Sequence, residues 1–196
     1  FVHRFDEDVS IEETLRALDD LQRQGKILYP GVSNWAAWQI AKSLGISARE
    51  QLARFELIQP MYNLVKRQAE VEILPLAKEE QIGVISYSPL GGGLLTGKYG
   101  VNQKPEKRYR EERNFDTAEK FIAFAKENGF HPVSLAVAWV KANQTITAPI
   151  IGARNLKQLQ PSLDAAQIDM NEELRETLFA LSVTPPPATD RLEEQL

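Results

Sequence analysis

VISYSPLGGGLLTGKY, residues 84–99, is the stretch on which the reading of the whole chain turns. Val84, Ile85 and Ser86 read as the end of a buried strand, because β-branched residues pack well on a pleated surface and the run is short and bounded by glycine. Pro89 has no N–H to offer a ladder, so the backbone turns there. Gly91, Gly92 and Gly93 then let it approach another group with no side chain between. Such a corner is either a plain turn or the mouth of a site for a flat, charged ligand. Residues 92–98 also match the first seven positions of the phosphate-loop pattern G-x-x-x-x-G-K-[ST]. Tyr99 stands where that pattern needs a magnesium-binding Ser or Thr hydroxyl, which sets nucleotide hydrolysis aside.

Outward from this corner the chain alternates between two periodicities. Strands are expected at residues 1–3, 27–32, 55–61, 83–88 and 147–151, and helices at 10–25, 35–44, 69–81, 117–128, 133–143, 156–166 and 171–181. Ser10 with Glu13 forms a capping box, Gly25 ends the first helix, and Asn171 caps the last. Pro30 interrupts its strand, and Pro75 kinks the third helix or stands in its first turn. Residues 100–114, rich in charge and turn formers, read as a lid or mobile segment. Strand followed by helix, repeated, means a parallel sheet, either doubly wound or part of a (β/α)8 barrel. Polar residues gather at the carboxyl strand ends: His3, Ser33, Asn34, Gln59, Tyr87, Ser88, and then Gly152, Ala153 and Arg154. In a barrel these ends converge on one mouth, and in an open sheet they lie along a line.

Composition narrows the function classes. The chain has 196 residues, 43% hydrophobic and 26% charged, enough for a sizeable core. A formal net charge of -4 argues against nucleic acid or an anionic membrane as the main partner. With no cysteine and two histidines, no metal site is expected, and the composition suits a reducing cytoplasm. No stretch is apolar for long enough to make a membrane helix. Phe1-Val2-His3 opens mid-strand without an initiator Met, so the sequence reads as a fragment of a longer protein.

Five motifs in order then resemble one family, the aldo-keto reductases. They are His3; Gly31-Val32-Ser33-Asn34; Gln59-Pro60-Met61-Tyr62-Asn63; Tyr87-Ser88-Pro89-Leu90 with Gly97-Lys98; and Pro149-Ile150-Ile151-Gly152-Ala153-Arg154-Asn155. The resemblance implies a (β/α)8 TIM barrel, of which residues 1–196 supply about the fourth to eighth units, with a C-terminal tail at 183–196. It implies NADPH or NADP+ as cofactor and an aldehyde or ketone as substrate. His3 is similar to the histidine that orients the substrate carbonyl. Ser33, Asn34 and Gln59 correspond to partners of the nicotinamide carboxamide, and Tyr87 to the aromatic residue stacked under the ring. Ser88, Pro89, Leu90 and Gly91, with Leu94 and Lys98, correspond to the loop around the pyrophosphate. Ile151, Gly152, Ala153, Arg154 and Gln158 correspond to the segment that holds the adenosine 2′-phosphate. The family's Asp, general-acid Tyr and Lys belong to strands before His3, so this chain alone is expected to be inactive. Pro161 and Ser162 replace the Glu and Asn of many members, which implies weaker contacts to adenine.

Taken as residues alone, the same features keep plainer readings. His3 is a structural strand histidine, Tyr87 is core and Lys98 is a solvated charge. His131, beside Pro132, reads as structural in either case. The resemblance also admits a second function, a cofactor-holding regulatory module like the ion-channel β-subunits. A third reading is an unrelated barrel or open sheet. Substrate identity and oligomeric state are not readable from these residues.

Overall fold

A computed structural model of the chain describes residues 1–99 and 109–189. In order it contains α1 (Ile11–Arg23), β1 (Gly31–Ser33), α2 (Ala37–Glu50), β2 (Leu57–Gln59), α3 (Ile73–Glu79) and β3 (Gly83–Ser86). These are followed by α4 (Glu112–Glu127), α5 (Pro132–Lys141), β4 (Ala148–Pro149), α6 (Leu156–Asp164) and α7 (Glu172–Ala180). The strands pair in chain order, β1-β2-β3-β4, all parallel, and Val2 makes a parallel bridge to Val32 outside β1. Sequential parallel neighbours, each reached over a helix, leave no reversal of strand order and therefore no switch point. This is an arc of a (β/α)8 barrel and not a doubly wound sheet.

Local chemistry explains most boundaries. The Ser10 hydroxyl accepts from the Glu13 N–H at 3.1 Å and starts α1, and Gly25 at φ +70° ends it. His131 is structural: its Nδ1 accepts from the Val133 N–H at 3.2 Å and caps α5, with Pro132 at the first helical position. Pro75 lies in the first turn of α3, where its missing N–H costs nothing. Three expectations need correction. The strand expected from residue 27 begins at Gly31; Leu28 and Tyr29 are exposed, so Pro30 precedes the ladder and does not interrupt it. The second helix continues to Glu50, because Ile40, Ser43, Ile46 and Ser47 maintain a buried stripe on either side of Gly45. The charged segment ends earlier than expected, since Tyr109 is buried and α4 starts at Glu112; residues 100–108 lie outside the described residues.

The two faces of the sheet differ. Val32, Ile58 and Val84, side by side across β1, β2 and β3, are at most 1% exposed and share a core with Ile40, Phe55, Leu135 and Trp139. Burying each stabilises the fold by about 1.5–3 kcal/mol. On the opposite face, Leu57, Gln59 and Ile85 are only half-buried. Gly31 is required there, because a Cβ would lie 2.7 Å from the Phe1 ring and 2.8 Å from the Leu57 carbonyl oxygen.

A polar clasp ties the loop after β2 to α7. The buried Tyr62 O–H donates to Glu70 Oε1 at 2.6 Å, and burial followed by the Glu70 charge pushes its phenol far above its ordinary value. Arg67, 3% exposed, donates to both Glu70 oxygens, and its guanidinium carbon lies 3.4 Å from the centre of the Phe179 ring. The Ser182 hydroxyl completes the clasp by donating to the Leu64 carbonyl at 2.6 Å.

Candidate active site

The polar strand ends meet. Asn34 Nδ2 donates to the His3 carbonyl and to Ser33 Oγ, both at 3.0 Å. The Ser33 O–H donates to the Gln59 carbonyl at 2.8 Å, and the Tyr87 O–H donates to Asn34 Oδ1 at 2.7 Å. Residues from the Val2 segment, β1, β2 and β3 are thus joined in one hydrogen-bonded group, and the Tyr87–Asn34 bond reaches across the end of β2, as the converging strand ends of a barrel mouth allow. His3 and Asn34 are exposed, Gln59 and Tyr87 half-buried and Ser33 buried.

Backbone strain marks the same place. Among the described residues, the non-glycine positions with left-handed backbone are Asn34 (φ 58°), Gln51, Gln81 and Ser88 (φ 58°). Gln51 caps α2 and Gln81 follows α3, which is ordinary helix-end chemistry. Asn34 and Ser88 instead follow strands, where each costs about 1–3 kcal/mol and persists only if its surroundings hold it. Beyond Ser88 the chain returns to φ -92° at Leu90 and is left-handed again at Gly91, Gly92 and Gly93.

A cleft of about 230 Å³ is lined by Ser88, Pro89, Leu90, Gly92 and Gly93 of this corner, by Ile150, Ile151 and Gly152 after β4, and by Ser162. A Cβ on Gly152 would meet nothing within 4 Å, whereas one on Gly93 would fall 2.7 Å from Lys98 Nζ. Lys98 therefore lies over the corner, its ammonium 4.8 Å from the centre of the Tyr99 ring. Leu94 is 3% exposed within the core, so anything it offers the corner comes from its main chain. Residues 152–158 are exposed; the Arg154 N–H donates to Gln158 Oε1 at 3.1 Å, and Asn155 caps α6. Ala153 and Ile151 sit in this segment without a side-chain hydrogen bond to give.

The donor set suits a nicotinamide dinucleotide. Of the groups expected at a carboxamide, the buried Ser33 hydroxyl and the Asn34 amide are paired with each other and with their neighbours, Gln59 stands half-buried beside them, and a flat ring stands at Tyr87. Beside them lies a cleft bordered by main chain, with Lys98 and Arg154 supplying positive charge at the corner and beyond β4. Among the described residues no cluster could hold a metal ion. Two buried residues assigned no contact in the sequence reading also adjoin the corner: Asn63, the last residue of the third motif, and Tyr109. Asn63 Nδ2 donates to the Ser88 carbonyl at 2.9 Å, and the Tyr109 ring occupies the space a Cβ on Gly92 would need. The signal for Asn63 was its place four residues beyond Gln59; Tyr109 had none beyond being an aromatic residue in a charged stretch.

Comparison with known proteins agrees with this geometry. A model described as the aldo/keto reductase family matches residues 1–180. An uncharacterized oxidoreductase of Bacillus subtilis, YrpG, is 34% identical over 177 residues, covering 88% of this chain and 54% of that protein. A probable voltage-gated potassium channel subunit beta of Arabidopsis thaliana is 32% identical over 182 residues, covering 86% and 56%. A glycerol dehydrogenase structure from Gluconobacter oxydans superposes with a TM-score of 0.78 at 26% identity, covering 95% of this chain and 60% of that one. The chain spans about half the length of the curated relatives it matches. No helix among the described residues is long and apolar enough to cross a membrane. With the barrel arc, the joined strand ends and these matches in agreement, the chain belongs to the aldo/keto reductase family.

Proposed function

We propose that the protein is an NADP(H)-dependent oxidoreductase that reduces aldehydes or ketones to alcohols. The observation that carries this reading is the hydrogen-bonded group His3–Asn34–Ser33–Gln59–Tyr87 beside the Ser88–Gly93 corner. Bound at this group, the reduced nicotinamide supplies a hydride. Ser33, Asn34 and Gln59 orient the carboxamide and so select the ring face turned to the substrate, and Tyr87, held by Asn34, supports the ring. The corner and Lys98 would hold the pyrophosphate and neutralise its charge, and the exposed Arg154 guanidinium would pair with a 2′-phosphate. His3, exposed at the mouth, donates to the substrate oxygen as charge develops on it. The proton that completes the alcohol comes from a general acid which the family resemblance puts on a strand preceding His3.

The test is NADPH oxidation by the intact protein across a panel of aldehydes and ketones, in wild type and His3→Ala. The variant is expected to lose about a hundredfold in turnover, with NADPH affinity little changed; equal losses in both would make His3 a folding residue. A second reading, a cofactor-binding regulatory module, draws support from the likeness to probable potassium channel beta subunits. Tight NADPH binding without turnover on any carbonyl would favour it.

A further inference from the structure

We infer that Asn63 and Tyr109 are positioning residues for the cofactor's pyrophosphate, holding the Ser88–Gly93 corner in its ligand-ready shape; this rests on the corner being the pyrophosphate loop of the function proposed above. The corner is bonded within itself, from the Gly91 N–H to the Ser88 carbonyl at 3.0 Å and from the Gly93 N–H to the Leu90 carbonyl at 2.9 Å, but glycine has many other conformations open to it, and keeping Ser88, Gly91, Gly92 and Gly93 all left-handed takes further restraint. The segment just after β2 supplies the restraint. Tyr87 N–H donates to the Pro60 carbonyl at 2.9 Å and Tyr62 N–H to the Tyr87 carbonyl at 3.3 Å, which extends the ladder past the strand ends. Asn63, fully buried, then splits its amide between two tasks. Its Oδ1 accepts from the N–H groups of Val65 and Lys66, at 3.2 and 2.9 Å, and its Nδ2 donates to the Ser88 carbonyl at 2.9 Å. One side chain thus fixes its own turn and turns the strained carbonyl of Ser88 toward itself.

Tyr109 closes the arrangement. Its ring carbons come within 2.8 and 2.9 Å of where a Cβ on Gly92 would be, so the corner lies flat against the ring. Its hydroxyl donates to Met61 Sδ at 3.4 Å and accepts from Asn63 Nδ2 at 3.4 Å. Both side chains are 0% exposed, so neither touches a ligand, and their influence must pass through the backbone of the corner. A main chain already held in its bound shape costs no ordering on binding.

The experiment compares NADPH with 2′-AMP, which carries the adenosine 2′-phosphate but no pyrophosphate, on the intact protein. Tyr109→Leu and Asn63→Ala should each raise the NADPH Kd about tenfold. The 2′-AMP Kd should stay within about twofold, and kcat at saturating NADPH should hold while the KM for NADPH rises. Tyr109→Phe keeps the ring and loses only the hydroxyl contacts, so a smaller rise of about threefold is expected; it decides the matter if Tyr109→Leu does not fold. An unchanged NADPH Kd in these variants overturns the inference, as does a parallel loss for 2′-AMP, which would signal general damage. Wild type that binds neither ligand removes the cofactor reading itself and this inference with it.

Discussion

The corner after β3 and the segment after β4 line the same cleft, yet the chain builds them by opposite means. The corner is strained and fastened from beneath by Asn63, by Tyr109 and by the ladder to Pro60. The segment after β4 is exposed from Gly152 to Gln158, and its contacts are local: Arg154 to Gln158 and the Asn155 cap. A wall held by the core presents a fixed shape, suited to the part of a dinucleotide common to all of them. A wall free of packing duties can carry the residues that distinguish one dinucleotide from another, because changing them leaves the fold alone.

Matched glycine substitutions should separate the walls most widely. Gly92→Ala puts a Cβ against the Tyr109 ring at φ +62° and is expected to destabilise the protein by about 2–3 kcal/mol. Gly152→Ala enters open space and should stay within about 0.5 kcal/mol of wild type. Urea unfolding of the two variants measures the contrast, and similar losses would abolish it. Next in size is Arg154→Ala, which should raise the NADPH Kd about tenfold to a hundredfold while leaving the NADH Kd and the melting temperature unchanged. A drop in melting temperature would show that this wall, too, serves the fold. Asn155→Ala tests the helix cap of the second wall, the bond from the Gln158 N–H to Asn155 Oδ1 at 3.0 Å. A loss of about 1 kcal/mol in unfolding free energy is expected, with a partial weakening of NADPH preference as Arg154 and Gln158 lose their register.

The contrast also accounts for how much the sequence revealed. Short β-branched runs ending in glycine or polar residues betrayed the strands and their carboxyl ends, because a strand's signal is local. Of the second wall, Gly152, Ala153 and Arg154 stood out as a polar strand end, whereas Gln158 entered only through the family resemblance, since an exposed glutamine inside a helix carries no signal of its own. The fastening of the first wall was not legible. Asn63 is only an amide after Tyr62 until the fold brings Ser88 beside it, 25 residues later, and Tyr109 gains a role only by meeting Gly92. The early start of α4 carries no hydrophobic signal, because its buried stripe begins with Asn114 and Thr117, polar residues that hydrophobic periodicity does not count. The second helix, expected over 35–44, runs on through Gly45 because Ile46 and Ser47 are buried.

The smallest expected effect concerns the outer brace of the fixed wall. Lys66, three residues beyond Asn63, donates to Glu111 Oε1 at 2.8 Å, and Arg113 donates to Glu111 Oε2 at 2.6 Å, so one carboxylate joins the β2 loop to the start of α4. These hydrogen bonds, Lys66's first, hold the Glu111 carboxyl below its ordinary value. A carboxyl group whose value falls on folding contributes stability above its unfolded value, and loses that contribution as pH drops through the lower folded one. Glu111 lies at the surface, where water and salt screen the pair, so the contribution is small. Thermal melting of wild type and Glu111→Gln should therefore differ slightly at pH 7. The gap should narrow with added salt and close as the pH falls below about 4, with NADPH affinity at pH 7 the same in both. A gap that widened in acid would mean Glu111 is stabilised as the protonated acid. A change in NADPH affinity would mean the brace acts on the corner itself, and the fixed wall would then extend out to α4.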